Sequence, residues 1–441
     1  MQKEPTLHSR EYVLTQAITD NNQDLDLPLR KRKFAAMSES PYRFFRGTSH
    51  LFWADMFHDW RFALFGGVAG SQTWIQGDAH VYNFGAFTSH DGEVIYGLDD
   101  FDDALVSDYQ YDLWRLAISL ELDAREQGHM DAAERRQGVQ ALVSAYLDTV
   151  TTYNVNALDE EIHFTAATSG KPLKKFLEKV AKKNTRAKML AKWTRHQKNG
   201  KRVFDTDKPK LKQLSPHGKK LFLEAFEQYR NTRSSTYAED FFEVKDVVQR
   251  LKAGTGSLGK SRYYVLIEGP GGCEDDDLIL DVKLQDGPAS LQAMTPVERE
   301  AYNNIFPNEG LRHITAFQAM AEHPDAYLGW LTLAEGIFSV RERSPFKADY
   351  PTHKLKSAKH FCKMSALWGR ILATEHKRGS RAINQADLYL FEETLIKLTA
   401  DKAEDFIGLV ASIAKHYADC VEKDYRIFLE TLGSLDDVDG D

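Results

Sequence analysis

The sequence predicts an α+β protein of two lobes, and three observations carry that reading. Apolar residues recur at helical spacing over long stretches: Leu113, Leu116, Ala117 and Leu120 share one face, as do Val139, Leu142, Val143, Tyr146 and Val150. Between residues 260 and 284 the pattern becomes two β-strands around a Pro270-Gly271-Gly272 turn with an acidic tip. The composition changes near residue 243, where Phe242-Glu243-Val244-Lys245-Asp246-Val247-Val248 leads into a Gly-rich run. These features divide the chain into a mainly helical lobe (1–242), a small antiparallel-sheet lobe (243–350) and a helical segment (351–441) that packs back on the first.

In chain order, the first 25 residues are polar and are expected to order only where they dock. The Ser38-Glu39-Ser40-Pro41 run signals a helix start or a turn, and an aromatic-rich helix follows near Leu51 to Phe62. A strand around Ser71 to Ile75 leads into the loop at Asp78, and Val94 to Leu98 forms another. After the helices of residues 113–150, the segment 171–220 begins helically through Phe176, Val180 and Leu190, then loops around Asn199-Gly200 and Asp207-Lys208-Pro209. Tyr263 to Glu268 and Leu278 to Leu284 are the hairpin strands. Helix is expected near Pro296 to Met320, strands at Leu328 to Leu333 and Ile337 to Arg341, and helix from Leu355 onward. Phe361, Met364, Leu367, Trp368 and Ile371 make that helix's buried stripe.

The bulk numbers exclude several classes. Hydrophobic content of 42 % and charged content of 28 % belong to a globular protein. No run approaches the ~18 apolar residues that span a bilayer. The start, Met1-Gln2-Lys3-Glu4-Pro5, has no apolar signal core. The three cysteines give neither a disulfide framework nor a metal motif. A cytoplasmic setting without a membrane partner is therefore expected. Residues 171–220 hold 18 Lys and Arg against 3 Asp and Glu, so a chain whose total charge is −8 carries −23 elsewhere. This segment reads either as a solvated helical face or as a surface for an acidic partner or anionic substrate. Nucleic acid is not expected, since the chain is acidic and lacks a nucleic-acid motif.

The chemistry concentrates in Gln76-Gly77-Asp78-Ala79-His80-Val81-Tyr82-Asn83-Phe84 and Gly97-Leu98-Asp99-Asp100-Phe101-Asp102. A short loop lets Asp78 and Asn83 converge on one point, and a strand delivers Asp100 to it. An Asp that orients a hydroxyl, with an amide and a second carboxylate on Mg²⁺, is the phosphotransferase set. Mg²⁺ keeps several waters, so two protein ligands suffice. The bland reading is that Asp, Asn and Gly are ordinary turn residues. Asp100 is expected as the main ligand and Asp102, two positions on along a strand, as a second. His80 reads as structural more readily than as a base. Asp112 caps its helix or braces the Asp78 loop. Arg46 and Arg343 are phosphate clamps or structural ion-pair members. The second half of the site is Gly254-Thr255-Gly256-Ser257-Leu258-Gly259 followed by a β-hairpin, with Lys283 on its second strand. Such a loop lets backbone N–H groups approach phosphates. The alternative is a tight turn and an ordinary surface lysine.

The Asp78 stretch, continuing to Tyr111-Asp112-Leu113-Trp114-Arg115, resembles the catalytic series of aminoglycoside and choline kinases. The Gly-rich hairpin with Lys283 resembles the small lobe of protein kinases. Here the catalytic loop precedes the glycines, so the resemblance implies a circularly permuted protein-kinase-like fold. The helix of Leu355 to His376 would stand where a long helix normally leads into the catalytic loop. The chain is also similar to the bacterial family called domain of unknown function 2252. That likeness rests on Met37 to Gly47, Gly77-Asp78-Ala79-His80, Asn83-Phe84-Gly85, Asp99 to Ala104, the Gly254–Gly259 run, Val282-Lys283 and Tyr327-Leu328-Gly329-Trp330. It departs from the family at the helix after the Lys strand, where Arg312-His313-Ile314-Thr315 offers no Glu to Lys283. Glu298, Glu300 and Glu309 are the nearby alternatives.

The expected activity is ATP- and Mg²⁺-dependent phosphoryl transfer to a hydroxyl of a small molecule. Asp78 would be the catalytic group, Asn83, Asp100 and Asp102 the metal ligands, and Gly254, Thr255, Gly256, Ser257, Gly259 and Lys283 the nucleotide contacts. A catalytically inactive nucleotide-binding regulator, or a metal-dependent phosphohydrolase on Asp78, His80, Asp100 and Asp102, are the alternatives.

Overall fold

The computed structural model describes residues 9–89, 92–156, 163–231, 242–251, 259–269, 271, 274–321 and 325–436. It is an α+β chain whose sheets are all antiparallel. Among the described residues, no helix is long and apolar enough to cross a membrane.

The large lobe is built on helices whose starts are fixed by side-chain caps. Ser40 accepts a hydrogen bond from Arg43 N and places Pro41 at the first helical position of Pro41–Gly47, so the Ser-Pro signal is a helix start. Ser357 caps the helix Ala358–Ile383 in the same way. That helix runs along Ala132–Asn156 and buries Phe361, Met364, Trp368, Ile371 and Leu372. The helix Gln110–Gln127 is buried nearly all round. A helix of this kind lies in a core rather than on a surface. The aromatic helix near Leu51 is shorter than expected: Ser49–Met56 is followed by a separate 3₁₀ turn, Trp60–Leu64.

Two small sheets carry the chemistry-bearing loops. Gln72–Ile75 pairs with Leu105–Asp108. Phe84–Thr88 pairs with Val94–Leu98 on one side and Ala348–Asp349 on the other. The Asp78 loop leaves the first sheet and enters the second, while Asp99 to Ala104 returns from the second to the first. Both loops therefore lie between the same two sheets.

The six-stranded sheet runs Gly329–Leu333, Gly336–Glu342, Leu278–Leu284, Arg262–Ile267, Val244–Arg250, Leu211–Gln213. The expected hairpin is present, with Leu278 opposite Ile267 and Lys283 opposite Arg262. Side chains alternate between its faces as the pleat demands. Val265, Ile267, Leu278, Leu280 and Val282 meet Phe222, Phe226 and Tyr229 of the helix Pro216–Asn231. Tyr264, Leu266 and Ile279 meet Met189, Leu190, Trp193 and Phe204 on the other face. Between the third strand in chain order of the hairpin set and the last two lie the helices Pro296–Ile305 and Glu309–Met320, which the sequence had merged into one. Asn308 breaks them by capping the second.

The boundary expected at 242/243 needs moving. Residues 189–229 bury their apolar side chains against the sheet, and Leu211–Gln213 is one of its strands. The later part of the basic segment, from Met189, is thus a folded part of the small lobe, while its start packs on the large-lobe core. Its helix Leu173–Lys183 buries Leu173, Leu177 and Val180 and leaves Lys174, Lys175, Lys182 and Lys183 exposed.

Candidate active site

A cleft of about 450 Å³ opens between the lobes. Asp78, Asn83, Asp100, Asp102 and Lys283, five of the residues singled out from sequence, line it together.

The Asp78 loop is held by buried polar groups. Asp112 is fully buried and accepts from Gln76 N (2.6 Å) and Gly77 N (2.9 Å), so it braces the loop rather than capping its own helix. His376, from the helix Ala358–Ile383, touches the same carboxylate at 3.2 Å. Gly77 has φ +80°, and a Cβ there would run into the Asp103 carbonyl oxygen. Gly77→Ala is therefore expected to distort the loop and cost about 1–3 kcal/mol of stability, read as a lowered thermal midpoint.

Asp78 itself receives Arg115 Nε at 2.6 Å. Arg115 is fully buried, with its guanidinium over the rings of Phe45 and Phe52. Burial pushes the Asp78 carboxyl up to about 6, against the opposing pull of Arg115, with the Asp103 charge adding to the rise. His80 is buried, accepts from Arg46 Nε at 3.1 Å, and lies 3.8 Å from Asp78. Burial and then the Arg46 and Arg115 charges push its basicity well below the usual range. Its ring is thereby favoured in the neutral form, with Arg46 as the partner of Nε2.

Asn83 donates from Nδ2 to Asp78 O at 2.9 Å, which turns its Oδ1 away from that carbonyl. Asp100 lines the cleft, and its carboxylate takes no hydrogen bond or ion pair among the described residues. Only its backbone oxygen is engaged, by Gln76 Nε2 at 2.6 Å. A free carboxylate beside an amide oxygen fits a hard divalent cation that keeps most of its waters. Asp102 is engaged differently. It forms an ion pair with Lys283, receives Gln285 Nε2 at 3.2 Å, and faces His313 at 3.6 Å. Burial raises its carboxyl, but Lys283, His313 and Lys260 outweigh that and hold it well below the usual carboxylate range. The Lys283 ammonium is its closest charged neighbour.

Lys283 finds no Glu. Glu298 contacts His58 and caps its own helix, and Glu309 is taken by Arg312 and Tyr302. Glu300 does not line the cleft. The position facing the site on Glu309–Met320 is filled by Arg312, fully buried, which donates to Ala104 O (2.7 Å), Asp102 O (2.6 Å) and Asp286 O (3.1 Å). Arg312 thereby ties the small lobe to the backbone of the Asp loop.

Residues 27–431 match the model of a family described as "uncharacterized protein conserved in bacteria (DUF2252)". The chain belongs to this family. Neither the curated proteins nor the solved structures gave a match.

In this DUF2252 protein, Gly254, Thr255, Gly256 and Ser257 lie outside the described residues. Gly259 is described. Its φ of +89° demands glycine, and it packs against Leu25 rather than lining the cleft. None of residues 171–220 lines the cleft either. Reversing Lys174, Lys175, Lys182 and Lys183 to Glu is accordingly expected to change an acceptor KM by less than about twofold at 0.15 M salt, where screening acts within ~8 Å. A larger rise would restore the segment as a steering surface.

Among the described residues, one group of three acidic or His side chains brings its ligand atoms within 4.8 Å: Glu268, Asp276 and Asp277. It sits at the end of the hairpin opposite Lys283, and Lys245 pairs with both Glu268 and Asp277 at 2.6 Å. Asp78, His80, Asp100 and Asp102 are not among that group. Sequence reasoning passed over Arg115 and Arg312. Each is a charged residue within a helix, which amphipathic patterning places on the surface.

Proposed function

We propose that this protein is a phosphotransferase of protein-kinase-like, circularly permuted architecture, acting on a hydroxyl of a small molecule with ATP and Mg²⁺ in the cytoplasm. The observation that carries the reading is the ion pair between Lys283 and Asp102, which joins residues 181 apart in sequence into one cleft. The order of the small lobe supports it. A strand, the Gly-rich run, a second strand, a third strand bearing the Lys, helical sequence and a closing hairpin follow in the order of a kinase small lobe, with two helices here between the third strand and the hairpin. The helix Ala358–Ile383 supports the permutation, since it braces the Asp78 loop through His376 and the strand leading to Asp100 through Glu375, which accepts from Leu98 N at 2.9 Å.

In this reading Asp78 orients the acceptor hydroxyl and takes its proton. Arg115 fixes the rotamer of that carboxylate. Asn83 and Asp100 are the residues that would hold Mg²⁺, which would neutralise charge on the donor phosphates. Lys283 exchanges Asp102 for phosphate oxygens. Because the base must be ionised, kcat/KM is expected to rise with pH through about 6 and level off above it. A flat profile from pH 5 to 8 would count against Asp78.

A second reading, a nucleotide-binding regulator without turnover, is favoured by one observation: Lys283 has Asp102 where a kinase supplies a Glu from the helix. A thermal-shift series separates binding from none. ATP with Mg²⁺ at 100 times its Kd adds about 2.7 kcal/mol of stability, and ATP without Mg²⁺ adds less. ADP release in the presence of a metabolite mixture then separates the phosphotransferase from the regulator.

A further inference from the structure

The sheet side of the cleft carries more positive charge than one Lys and a Gly-rich loop require. Arg250, Arg341 and Arg343 all line it, and none forms an ion pair with a carboxylate among the described residues. Arg341 donates to the Asp99 carbonyl oxygen at 2.8 Å. Arg250 reaches Tyr264 Oη at 3.3 Å and backbone carbonyls. Arg343 has no hydrogen-bond partner for its side chain, and its Nε is buried. Its guanidinium rests on Trp193 at 5.3 Å and on Tyr264 at 5.4 Å, and that of Arg250 rests on the same two rings. The Trp193 indole N–H is likewise buried without a partner. A buried donor without an acceptor is costly and rare, so Arg343, which lines the cleft with its Nε unpaired, marks a place for acceptor oxygens.

The same face is also charged where the protein-kinase pattern is apolar. The protein-kinase pattern around the lysine is Val-Ala-Ile-Lys, with a small apolar residue two positions before the Lys. Here that position is Asp281, buried, on the same face as Lys283, and paired with Arg262. The Arg262 guanidinium and Arg341 and Arg343 together hold the Asp281 carboxyl down at about 2, against the effect of burial, so the ion pair is a fixed charged surface. The two rings nearby, Trp193 and Tyr264, already carry guanidiniums. The Asp281–Arg262 ion pair gives an uncharged base little apolar surface to bury against at that position. Planar guanidinium forks match phosphate oxygens two at a time.

We propose that Arg343, with Arg250 and Arg341, is a seat for the phosphate oxygens of a polyphosphate group, and that this protein recognises its phosphoryl donor by the phosphate chain and not by the base. The inference rests on the phosphotransfer reading for what the phosphates are used for, and on geometry alone for where they bind. Nucleoside triphosphates of any base and inorganic tripolyphosphate are then equivalent ligands.

The test is calorimetric titration of the full chain with the Mg²⁺ complexes of ATP, GTP and tripolyphosphate, and competition by adenosine. The expected result is affinities within about threefold of one another, no competition by millimolar adenosine, and a loss of about tenfold for all three ligands in Arg343→Gln, the scale of one charge-assisted contact. Arg343→Lys, which keeps the charge and loses the fork, should fall between the two. Competition by adenosine, ATP binding more than about tenfold tighter than tripolyphosphate, failure of all three to bind, or unchanged affinity in a folded Arg343→Gln would each overturn the proposal. If Arg343→Gln does not fold, the wild-type comparison of ATP with tripolyphosphate decides alone. Base-indifferent binding without ADP or phosphate turnover would leave this proposal standing and remove the phosphotransferase reading. Turnover that demands adenine would do the reverse.

Discussion

Asp78→Asn is expected to lower phosphoryl transfer by at least about 10²-fold while leaving Mg²⁺·ATP affinity within about twofold, because general-base loss alone acts on that scale. The substitution keeps the shape of the side chain and one acceptor oxygen for Arg115, whose Nε lies 2.6 Å from Oδ1. It removes the negative charge that would take the hydroxyl proton. It also leaves the fully buried Arg115 without its counter-charge, so a loss of about 1–3 kcal/mol of stability should accompany the loss of rate. Asp100→Asn should behave differently, since Asp100 has no protein partner to strand. Its effect should fall on Mg²⁺-dependent binding with stability unchanged. Transfer by Asp78→Asn at the wild-type rate would refute the assignment, and equal effects of the two substitutions would show that the two carboxylates do not have separate tasks.

Asp112→Ala should be the most destabilising single change at the site. The carboxylate is fully buried and satisfies the N–H groups of Gln76 and Gly77 while touching His376. Each orphaned buried donor costs about 1–3 kcal/mol, so a total of roughly 3–5 kcal/mol is expected. The loop that carries Asp78 would then lose its fixed backbone, so donor binding through Lys283 should survive at low temperature while transfer does not. Chemical denaturation gives the first quantity and titration the second. A loss below about 1 kcal/mol would mean that water replaces the carboxylate and that the loop does not depend on it.

The parts of this fold that the sequence exposed are those where local pattern and tertiary role agree. The Ser40-Pro41 start, the strands on either side of residues 267–278, and the stripe from Phe361 to Ile371 all obey rules of period and capping that need no partner. The convergence of Asp78, Asn83 and Asp100 was legible because loop and strand spacing restrict where such residues can go, while the approach of Lys283 was expected only from the resemblance to kinases. The membership of residues 189–229 in the small lobe was hidden. Their lysines dominate the composition, and only the sheet reveals that Met189, Leu190, Trp193 and Phe204 are its cover. The partner of Lys283 was hidden for a similar reason. A Glu was sought on the following helix, but the counter-charge is Asp102, from a loop 181 residues earlier, and the helix instead supplies Arg312 to that loop's carbonyls. Arg115 was passed over because a buried cation in an apolar helix is intelligible only once Asp78 is beside it.

The claim that two distant stretches make one phosphate site can be tested by a single labelling experiment. An acyl-phosphate derivative of ATP places a reactive carbonyl at the end of the phosphate chain, and a lysine amine next to that chain displaces ATP and keeps the acyl group. Peptide mapping after labelling should find Lys283 as the principal acylated residue, protected by Mg²⁺·ATP. Asp100→Asn, in the other stretch, should reduce its labelling by about tenfold, the effect of one lost ionic contact on donor binding. Labelling spread over the exposed lysines of residues 171–220, with Lys283 unmodified or indifferent to Asp100→Asn, would contradict the account.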